Sequence, residues 1–214
     1  MNKTKIEWCD YTWNPITGCL NGCEYCYARR IYQRFKKSFI PTFHKKRLSQ
    51  PLKEKKPARI FVCSVSDFWG KGVKKEWRKK IYQIIEKCPQ HIFQILTKQP
   101  QNIRRGEAIP TNVWVGVSVS KFEDRWRPAT LYTKNIKNLK FVSIEPLLDD
   151  VVSSYFFLPD WIIVGAMTGQ GSGKFRPNPK TLKHIIEICQ RLKIPLFLKD
   201  NLHWRKKIQE FPGE

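Results

Sequence analysis

The chain has 214 residues, of which 41% are hydrophobic and 13% aromatic, which is enough to bury a core and excludes wholesale disorder. Its 40 Lys and Arg residues against 18 Asp and Glu give a formal net charge of +22. A charge this large on a small chain favours a polyanionic partner, with nucleic acid ahead of an anionic membrane surface; a merely basic protein is the alternative. The apolar runs are too short to span a bilayer, and no signal-like apolar segment follows the first lysines, so we expect a cytoplasmic protein.

The predicted elements alternate between strands and helices. After "YTWNPITG", which we interpret as the first strand, nearly continuous apolar runs predict strands at 59–65, 91–98, 112–119, 139–146, 160–166 and 194–200. Amphipathic spacing predicts helices at 25–37, 74–88 and 179–193, with a weaker one at 121–134. The pattern indicates an α/β fold, either a barrel or a doubly wound sheet. We expect one domain over 1–214, with a lysine-rich exposed linker at 44–57 and a short C-terminal tail at 201–214.

Polar residues collect where the predicted strands end. In parallel α/β folds these carboxyl ends meet on one side of the sheet, which is where such folds place their sites. The residues are Cys63, Ser64, Ser66, Asp67, Thr97, Lys98, Ser118, Glu145, Lys199 and Asp200.

The segment "GCLNGCEYCYARR" places Cys19, Cys23 and Cys26 in a C-x3-C-x2-C spacing before the first amphipathic helix. In a reducing compartment such cysteines indicate metal or redox chemistry rather than disulfides. A structural zinc site and a ferredoxin-type cluster both need four ligands, and Cys9 stands ten residues upstream without a partner at a suitable spacing. Three thiolates on a four-iron cluster leave one iron open for substrate or cofactor, which favours catalysis.

This spacing resembles that of the radical S-adenosylmethionine (SAM) superfamily. The resemblance implies a partial (β/α)6 TIM-like barrel, a 4Fe-4S cluster held by the three cysteines, and SAM bound to the open iron. It also implies cleavage of SAM to a 5′-deoxyadenosyl radical, with the electron delivered by a donor such as flavodoxin or ferredoxin.

Further motifs narrow the resemblance. "CEYCY", with Tyr25 and Tyr27 around the last cysteine, is similar to the spore photoproduct lyase family, which reverses a UV-induced thymine crosslink in DNA. "FVCSVSDFWG", "LTK" and "GVSVS" resemble successive strand ends of that family and carry Cys63, Lys98 and Ser118. Over nearly the whole chain, "IEWCDYTWNPITGC", "FVSIEPLL" and "WIIVGAMTG" are similar to the phage Gp37/Gp68 family, which has the same three-cysteine loop.

The lyase resemblance implies roles for individual residues. Cys63 would donate hydrogen to the product radical, with a buried strand cysteine as the alternative, and Tyr25 and Tyr27 would relay hydrogen or simply pack. Lys98 and Ser118 would contact SAM. The remaining candidate cofactor contacts are Ser64, Ser66 and Glu145, where Glu145 could instead form a structural ion pair.

The sequence therefore predicts a monomeric radical SAM repair lyase that acts on UV-damaged DNA. Two alternatives stay open: a radical SAM enzyme that modifies a base in DNA or tRNA, and a non-catalytic nucleic-acid-binding metalloprotein. The basic stretches with interleaved aromatic residues, such as "RRIYQRFKK" and "KKEWRKK", are compatible with each of them.

Overall fold

The structure is a computed structural model, and it describes residues 1–151, 158–169 and 172–213. Its core is an eight-stranded sheet in the order β1-β2-β5-β6-β7-β8-β9-β10. Neighbouring strands from β2 to β10 pair in parallel, and β1 pairs with β2 antiparallel. A separate antiparallel pair joins β3 and β4. The strands are β1 Asn2–Lys3, β2 Tyr11–Trp13, β3 Ile16–Thr17, β4 Thr42–Phe43, β5 Arg59–Val62, β6 Ile92–Thr97, β7 Val113–Val119, β8 Lys140–Ile144, β9 Trp161–Val164 and β10 Leu196–Leu198.

In the described part of the chain four α-helices accompany the sheet: α1 Tyr27–Arg34, α2 Lys75–Glu86, α3 Trp126–Tyr132 and α4 Pro179–Leu192. The predicted mixed α/β fold with a parallel sheet is thus confirmed, and the predicted helices and the strands from 59–65 onward are found. The predicted first strand, "YTWNPITG", is instead split between β2 in the main sheet and β3 in the separate pair. Regular alternation of strands and helices is not confirmed, because β6 and β7 are joined without an α-helix. The connecting residues 98–112 are described in full and form only a 3-10 turn at Pro100–Asn102. No helix in the described ranges is long and apolar enough to cross a membrane.

The two faces of the sheet carry different cores. Strand residues alternate between faces, so every second residue points inward. One face packs aliphatic residues of the strands against α2 and α4, which contribute Ile81, Ile85, Leu182 and Ile185. The other face holds an aromatic cluster of Trp8, Phe141, Trp161 and Phe197. We call this second face the inner face.

Two segments predicted to be peripheral take part in the packing. In the lysine-rich 44–57 segment, Leu48 and Leu52 lie against the main core, so it is more than an exposed linker. In the tail, the Glu210 N–H donates to Leu196 O at 3.0 Å, and the Leu198 N–H donates to Ile208 O at 2.8 Å. The tail therefore continues the hydrogen bonding of the sheet beyond β10.

Candidate active site

The three-cysteine loop runs from β3 to α1 and is anchored at its start. Gly18 adopts φ +82°, and a Cβ on it would lie 2.3 Å from Ile40 O, so only glycine lets the 39–40 segment pack this closely. The Cys19 N–H donates to Phe39 O at 2.8 Å. The Ser66 hydroxyl donates to Gly18 O at 2.6 Å, which ties the loop to the segment after β5.

The loop is also anchored at its end by Arg29. Cys26 is the N-cap residue of α1, and its Sγ accepts the Arg29 N–H at 3.4 Å. The Arg29 side chain reaches back to donate to Cys19 O at 2.8 Å, and its guanidinium lies 5.2 Å from the centroid of the Phe39 ring. Arg29 therefore joins the two ends of the loop.

All three loop thiols accept hydrogen bonds from nitrogen donors. The Asn21 N–H donates to Cys19 Sγ and its side-chain amide donates to Cys23 Sγ, both at 3.4 Å, so with the Arg29 N–H each sulfur has a donor. Such donors stabilise a thiolate. Burial raises the pKa of Cys19 to about 11, and the neighbouring Asp67 and the other two cysteines add to the rise. A metal ligand has to be deprotonated, so this pKa couples metal binding to proton release.

The three thiols are spread along the wall of a cavity rather than converging on one point. Among the described residues, no group of three or more His, Cys, Asp or Glu side chains could hold a single metal ion. In an iron–sulfur cluster each thiolate binds a different iron atom, so spaced thiols with N–H···S bonds fit a cluster.

The cavity has a volume of about 600 Å³, within the range of cofactor and ligand pockets. It opens at the carboxyl ends of the strands, and Ile6, Trp8, Phe61 and Leu96 form its apolar part. The predicted site residues that line it are Cys19, Cys23, Cys26, Tyr25, Tyr27, Ser64, Ser66, Lys98, Ser118 and Glu145.

Cys63 is the one predicted site residue that the structure places outside the cavity lining. Phe61 points inward, so strict alternation would send Cys63 inward too. Strand β5 ends at Val62, however, and Cys63 adopts a left-handed φ of +60°. The side chain turns into the main core with 2% exposure, and Ser64 faces the cavity instead. Burial raises the pKa of the Cys63 thiol to about 12.

Asp67 fixes the strand end that carries Lys98. Its carboxylate accepts the Thr97 hydroxyl at 2.6 Å and the Lys98 N–H at 2.8 Å. Asp67 is buried, and this burial raises its pKa, although the two hydrogen bonds oppose the rise. The Lys98 ammonium extends into the cavity and lies 5.5 Å from the centroid of the Tyr25 ring. One cation is thus held beside the three-cysteine loop.

A polar chain connects Tyr25 to the end of β7. The Tyr25 hydroxyl is 2.8 Å from Ser120 Oγ, and the Ser120 N–H donates to Asp124 at 2.9 Å. Asp124 pairs with Arg127 at 2.7 Å, and Arg127 also donates to Ser118 O at 2.8 Å. The chain fixes the Tyr25 ring at the cavity wall. Tyr27 is placed separately, because its hydroxyl donates to Ser64 O at 3.0 Å.

Glu145 and Lys199 form an ion pair that also lines the cavity. The pair spans from the end of β8 to the end of β10 and passes over Gly165 at the end of β9. A Cβ on Gly165 would lie 2.8 Å from Lys199 Cδ and 3.2 Å from Glu145 Cγ. The ion pair that the sequence left open for Glu145 is therefore formed, and glycine at 165 makes room for it.

Sequence reasoning missed four residues that shape the site: Asn21, Arg29, Asp67 and Lys199. Asp67 and Lys199 were recognised as strand-end polar residues but given no role. The glycine that follows "WIIV" was the available signal for a close approach of neighbouring side chains, here the pair of Lys199 and Glu145. Asn21 and Arg29 act through backbone carbonyls and sulfur atoms, which no spacing in the sequence reveals.

Comparison with solved structures identifies the fold. A spore photoproduct lyase variant with a cysteine replaced by serine superposes with a TM-score of 0.56 at 12% identity, over 81% of this chain and 61% of that chain. A double variant with bound AdoMet and dinucleoside spore photoproduct gives 0.55 at 12% identity over the same shares. A lyase complexed with dinucleoside spore photoproduct gives 0.51 at 15% identity, over 68% of this chain and 48% of that chain.

These similarities confirm the predicted partial TIM-like barrel and, at such low identity, establish the fold alone. The chain spans about 60% of the length of the first two of these lyase chains. No curated protein matches the sequence. The family described as "Protein of unknown function (DUF5131)" matches residues 3–211. The chain belongs to this DUF5131 family.

Proposed function

We propose that the chain is a radical SAM enzyme that acts on nucleic acid, with a spore-photoproduct-type thymine crosslink in DNA as its first candidate substrate. The observation that carries this proposal is the arrangement of one cavity: three free cysteines in C-x3-C-x2-C spacing line it together with Lys98, Ser118 and Glu145. The fold shared with lyases, one of which binds AdoMet, supports it.

The residues present fit the two implied cofactors. Cys19, Cys23 and Cys26 would hold a 4Fe-4S cluster, and Lys98 and Ser118 would bind SAM. When bound and reduced by an electron donor such as flavodoxin or ferredoxin, these groups supply a 5′-deoxyadenosyl radical that abstracts hydrogen from the substrate.

The side chains of the cavity would bind and orient the cofactor and the substrate, and they would exclude water. The Lys98 ammonium offers a cation for a carboxylate, and its position is set by Asp67. Trp8, Phe61 and Leu96 give an apolar part that protects a radical from solvent. The contact of the Tyr25 hydroxyl with Ser120 Oγ at 2.8 Å holds the Tyr25 ring at the wall.

The charge of the chain supports a nucleic acid substrate. A net charge of +22 provides cations for phosphate contacts, and a base inside a duplex would have to be flipped out to reach the cavity. Reversal of a thymine crosslink would need hydrogen abstraction beside the bridge, fragmentation of the bridge, and return of hydrogen to the product.

A second candidate is a radical SAM enzyme that modifies a base in DNA or tRNA, and the position of Cys63 favours it. The lyase reaction requires a hydrogen donor within reach of the product radical, and the side chain of Cys63 lies in the core. A base-modifying reaction would not require a cysteine on this strand.

An anaerobic assay tests both candidates. Reconstituted protein, SAM and a reductant are mixed with an oligonucleotide that carries the spore photoproduct, and restored thymine and 5′-deoxyadenosine are measured by mass spectrometry. Cys63→Ala is compared with Cys88→Ala, a substitution of another buried cysteine that does not line the cavity.

The outcomes distinguish the candidates. If the parent restores thymine and only Cys63→Ala gives aberrant products, the lyase reaction is established. Cys63 must then turn toward the cavity during the reaction. Deoxyadenosine without repair would support radical SAM chemistry, contradict this crosslink as the substrate, and direct the search to other lesions or RNA bases. Zinc at one ion per chain with no SAM cleavage would contradict the radical SAM proposal and select a non-catalytic metalloprotein.

A further inference from the structure

Helix α1 packs unlike the other long helices of the fold. Helix α4 buries Leu182, Ile185 and three further residues, and α2 buries three, but the fully described α1 buries only Ala28. Its large apolar residues are nevertheless regularly spaced. The helix therefore adds little to the core, and its apolar face is open.

The open face carries an apolar stripe. Tyr27, Ile31 and Phe35 recur every four residues and share one side of the helix. Their exposed fractions are 49%, 48% and 62%. We call these three residues the α1 stripe.

The segment that carries the α1 stripe is basic. Residues 27–37 contain no Asp or Glu, and Glu24 lies three residues before them. They contain five basic residues: Arg29, Arg30, Arg34, Lys36 and Lys37. Apolar and aromatic side chains alternating with Lys and Arg form the pattern that binds single-stranded nucleic acid, by stacking on the bases and pairing with the phosphates.

The α1 stripe is also continuous with the cavity. Tyr27 belongs to the stripe and lines the cavity, where its hydroxyl donates to Ser64 O. Eight residues of helix rise about 12 Å, the length of about three stacked nucleotides. A strand lying on the stripe would therefore end at the cavity mouth.

We propose that the α1 stripe and the cations of its segment bind an unpaired stretch of nucleic acid and lead the target base past Tyr27 into the cavity. This inference rests on the proposed function for its substrate. Phe35 and Ile31 contact bases, and Arg34 contacts a phosphate. An acidic electron-carrier protein is the competing occupant, but such a carrier would not need continuity with the cavity mouth.

Binding of a fluorescein-labelled twelve-nucleotide oligothymidylate, followed by anisotropy at several salt concentrations, tests the proposal. The full chain with its reconstituted cluster is used without SAM. We expect Phe35→Ala to weaken binding roughly tenfold through lost stacking. Arg34→Gln should reduce the slope of log K against log salt by about 0.7 through the loss of one phosphate contact.

Matched controls come from helices outside the stripe. Leu192→Ala removes an exposed apolar side chain from α4, and Lys80→Gln removes an exposed cation from α2. The Leu192→Ala variant should bind like the parent, and Lys80→Gln should keep the parent salt slope. Equal binding by the parent, Phe35→Ala and Arg34→Gln would overturn the proposal.

A second measurement distinguishes nucleic acid from the competing electron carrier as the occupant of the stripe. It also distinguishes a failure of this inference from a failure of the proposed function. If the stripe variants bind oligothymidylate normally but accept electrons from reduced flavodoxin more slowly, the α1 stripe is a carrier surface and the proposal is wrong. The binding assay requires no SAM cleavage. A chain that binds through the stripe but forms no deoxyadenosine would therefore retain this inference and contradict only the proposed function.

Discussion

The cysteines that line the cavity and the cysteines of the core have the same side chain in two different environments. Cys19, Cys23 and Cys26 lie half-buried on an irregular loop at the carboxyl ends of the strands, with N–H donors at their sulfurs. The four others, Cys9, Cys63, Cys88 and Cys189, are buried. The pKa does not distinguish Cys19 from a core cysteine, because burial raises it to about 11 for Cys19 and to about 12 for Cys189.

What separates them is access to one cavity and a loop that presents the sulfur atoms. A buried cysteine behaves as a small apolar side chain, and its thiol stays protonated. The position of each cysteine on the backbone therefore indicates which thiols are candidates for chemistry, and the number of cysteines alone does not.

The largest expected effect separates the two groups directly. Substitution of Cys23 or Cys26 by Ala should abolish iron retention and SAM cleavage, because each thiolate would hold one iron atom. Cys88→Ala, at a fully buried position, should keep both activities and lose about 1 kcal/mol of unfolding free energy.

Iron content, deoxyadenosine formation and urea unfolding are measured on the three proteins. Equal iron content in all of them would remove the distinction between cavity and core cysteines.

The second prediction concerns the backbone that turns Cys63 away. The substitution Cys63→Val would place a β-branched side chain at φ +60°, which should lower the unfolding free energy by about 1–3 kcal/mol. Cys63→Ala also removes the sulfur but lacks the branch, and it should cost less. Urea unfolding compares the two variants, and equal stability would show that residue 63 has an ordinary extended backbone.

Cys63 also shows where sequence reasoning ends. Continuous apolar runs were sufficient to locate the strands, because strands buried on both faces carry that pattern. The carboxyl-end rule correctly brought Lys98, Ser118 and Glu145 to one cavity. The side on which Cys63 emerges depends on a single left-handed residue, and cysteine is not a residue type that signals such a conformation.

Other features were hidden because they depend on distant partners. Amphipathic spacing correctly located α1 but does not tell whether the apolar side of this helix packs on the core, and in the structure that side is open. The tail is paired with β10 through backbone groups of residues 196–198 and 208–210, which carry no side-chain pattern. The link between Arg29 and Cys19 also ends on a backbone carbonyl.

The third prediction uses the buried thiol of Cys189 on α4. Its pKa is raised from 9.0 to about 12, by burial first and then by Glu210. Between these values the unfolded chain loses a proton that the folded chain keeps, so rising pH favours unfolding by about 1.4 kcal/mol per unit. This penalty is absent below pH 9.

The stability difference between the parent chain and Cys189→Ala should therefore shrink by about 1 kcal/mol from pH 9 to pH 10, because the unfolded thiol is already half ionised at pH 9. Leu182→Ala, in the same helix, removes no titrating group, and its cost should stay constant over the same interval. Urea unfolding at each pH provides the measurement. A constant difference for Cys189→Ala would show that its thiol titrates alike in the folded and unfolded chains.

The smallest expected effect tests how the loop of the cavity cysteines is held. Arg29→Lys keeps the charge but loses the planar group that donates to Cys19 O and lies beside the Phe39 ring, so it should cost about 1 kcal/mol. Arg34→Lys, on the exposed part of α1, should be neutral. Urea unfolding and the rate of cluster loss in air are compared for both. If Arg29→Lys leaves both quantities unchanged, the loop is held without Arg29, by the packing of Gly18 on residues 39–40 and the Ser66 hydrogen bond.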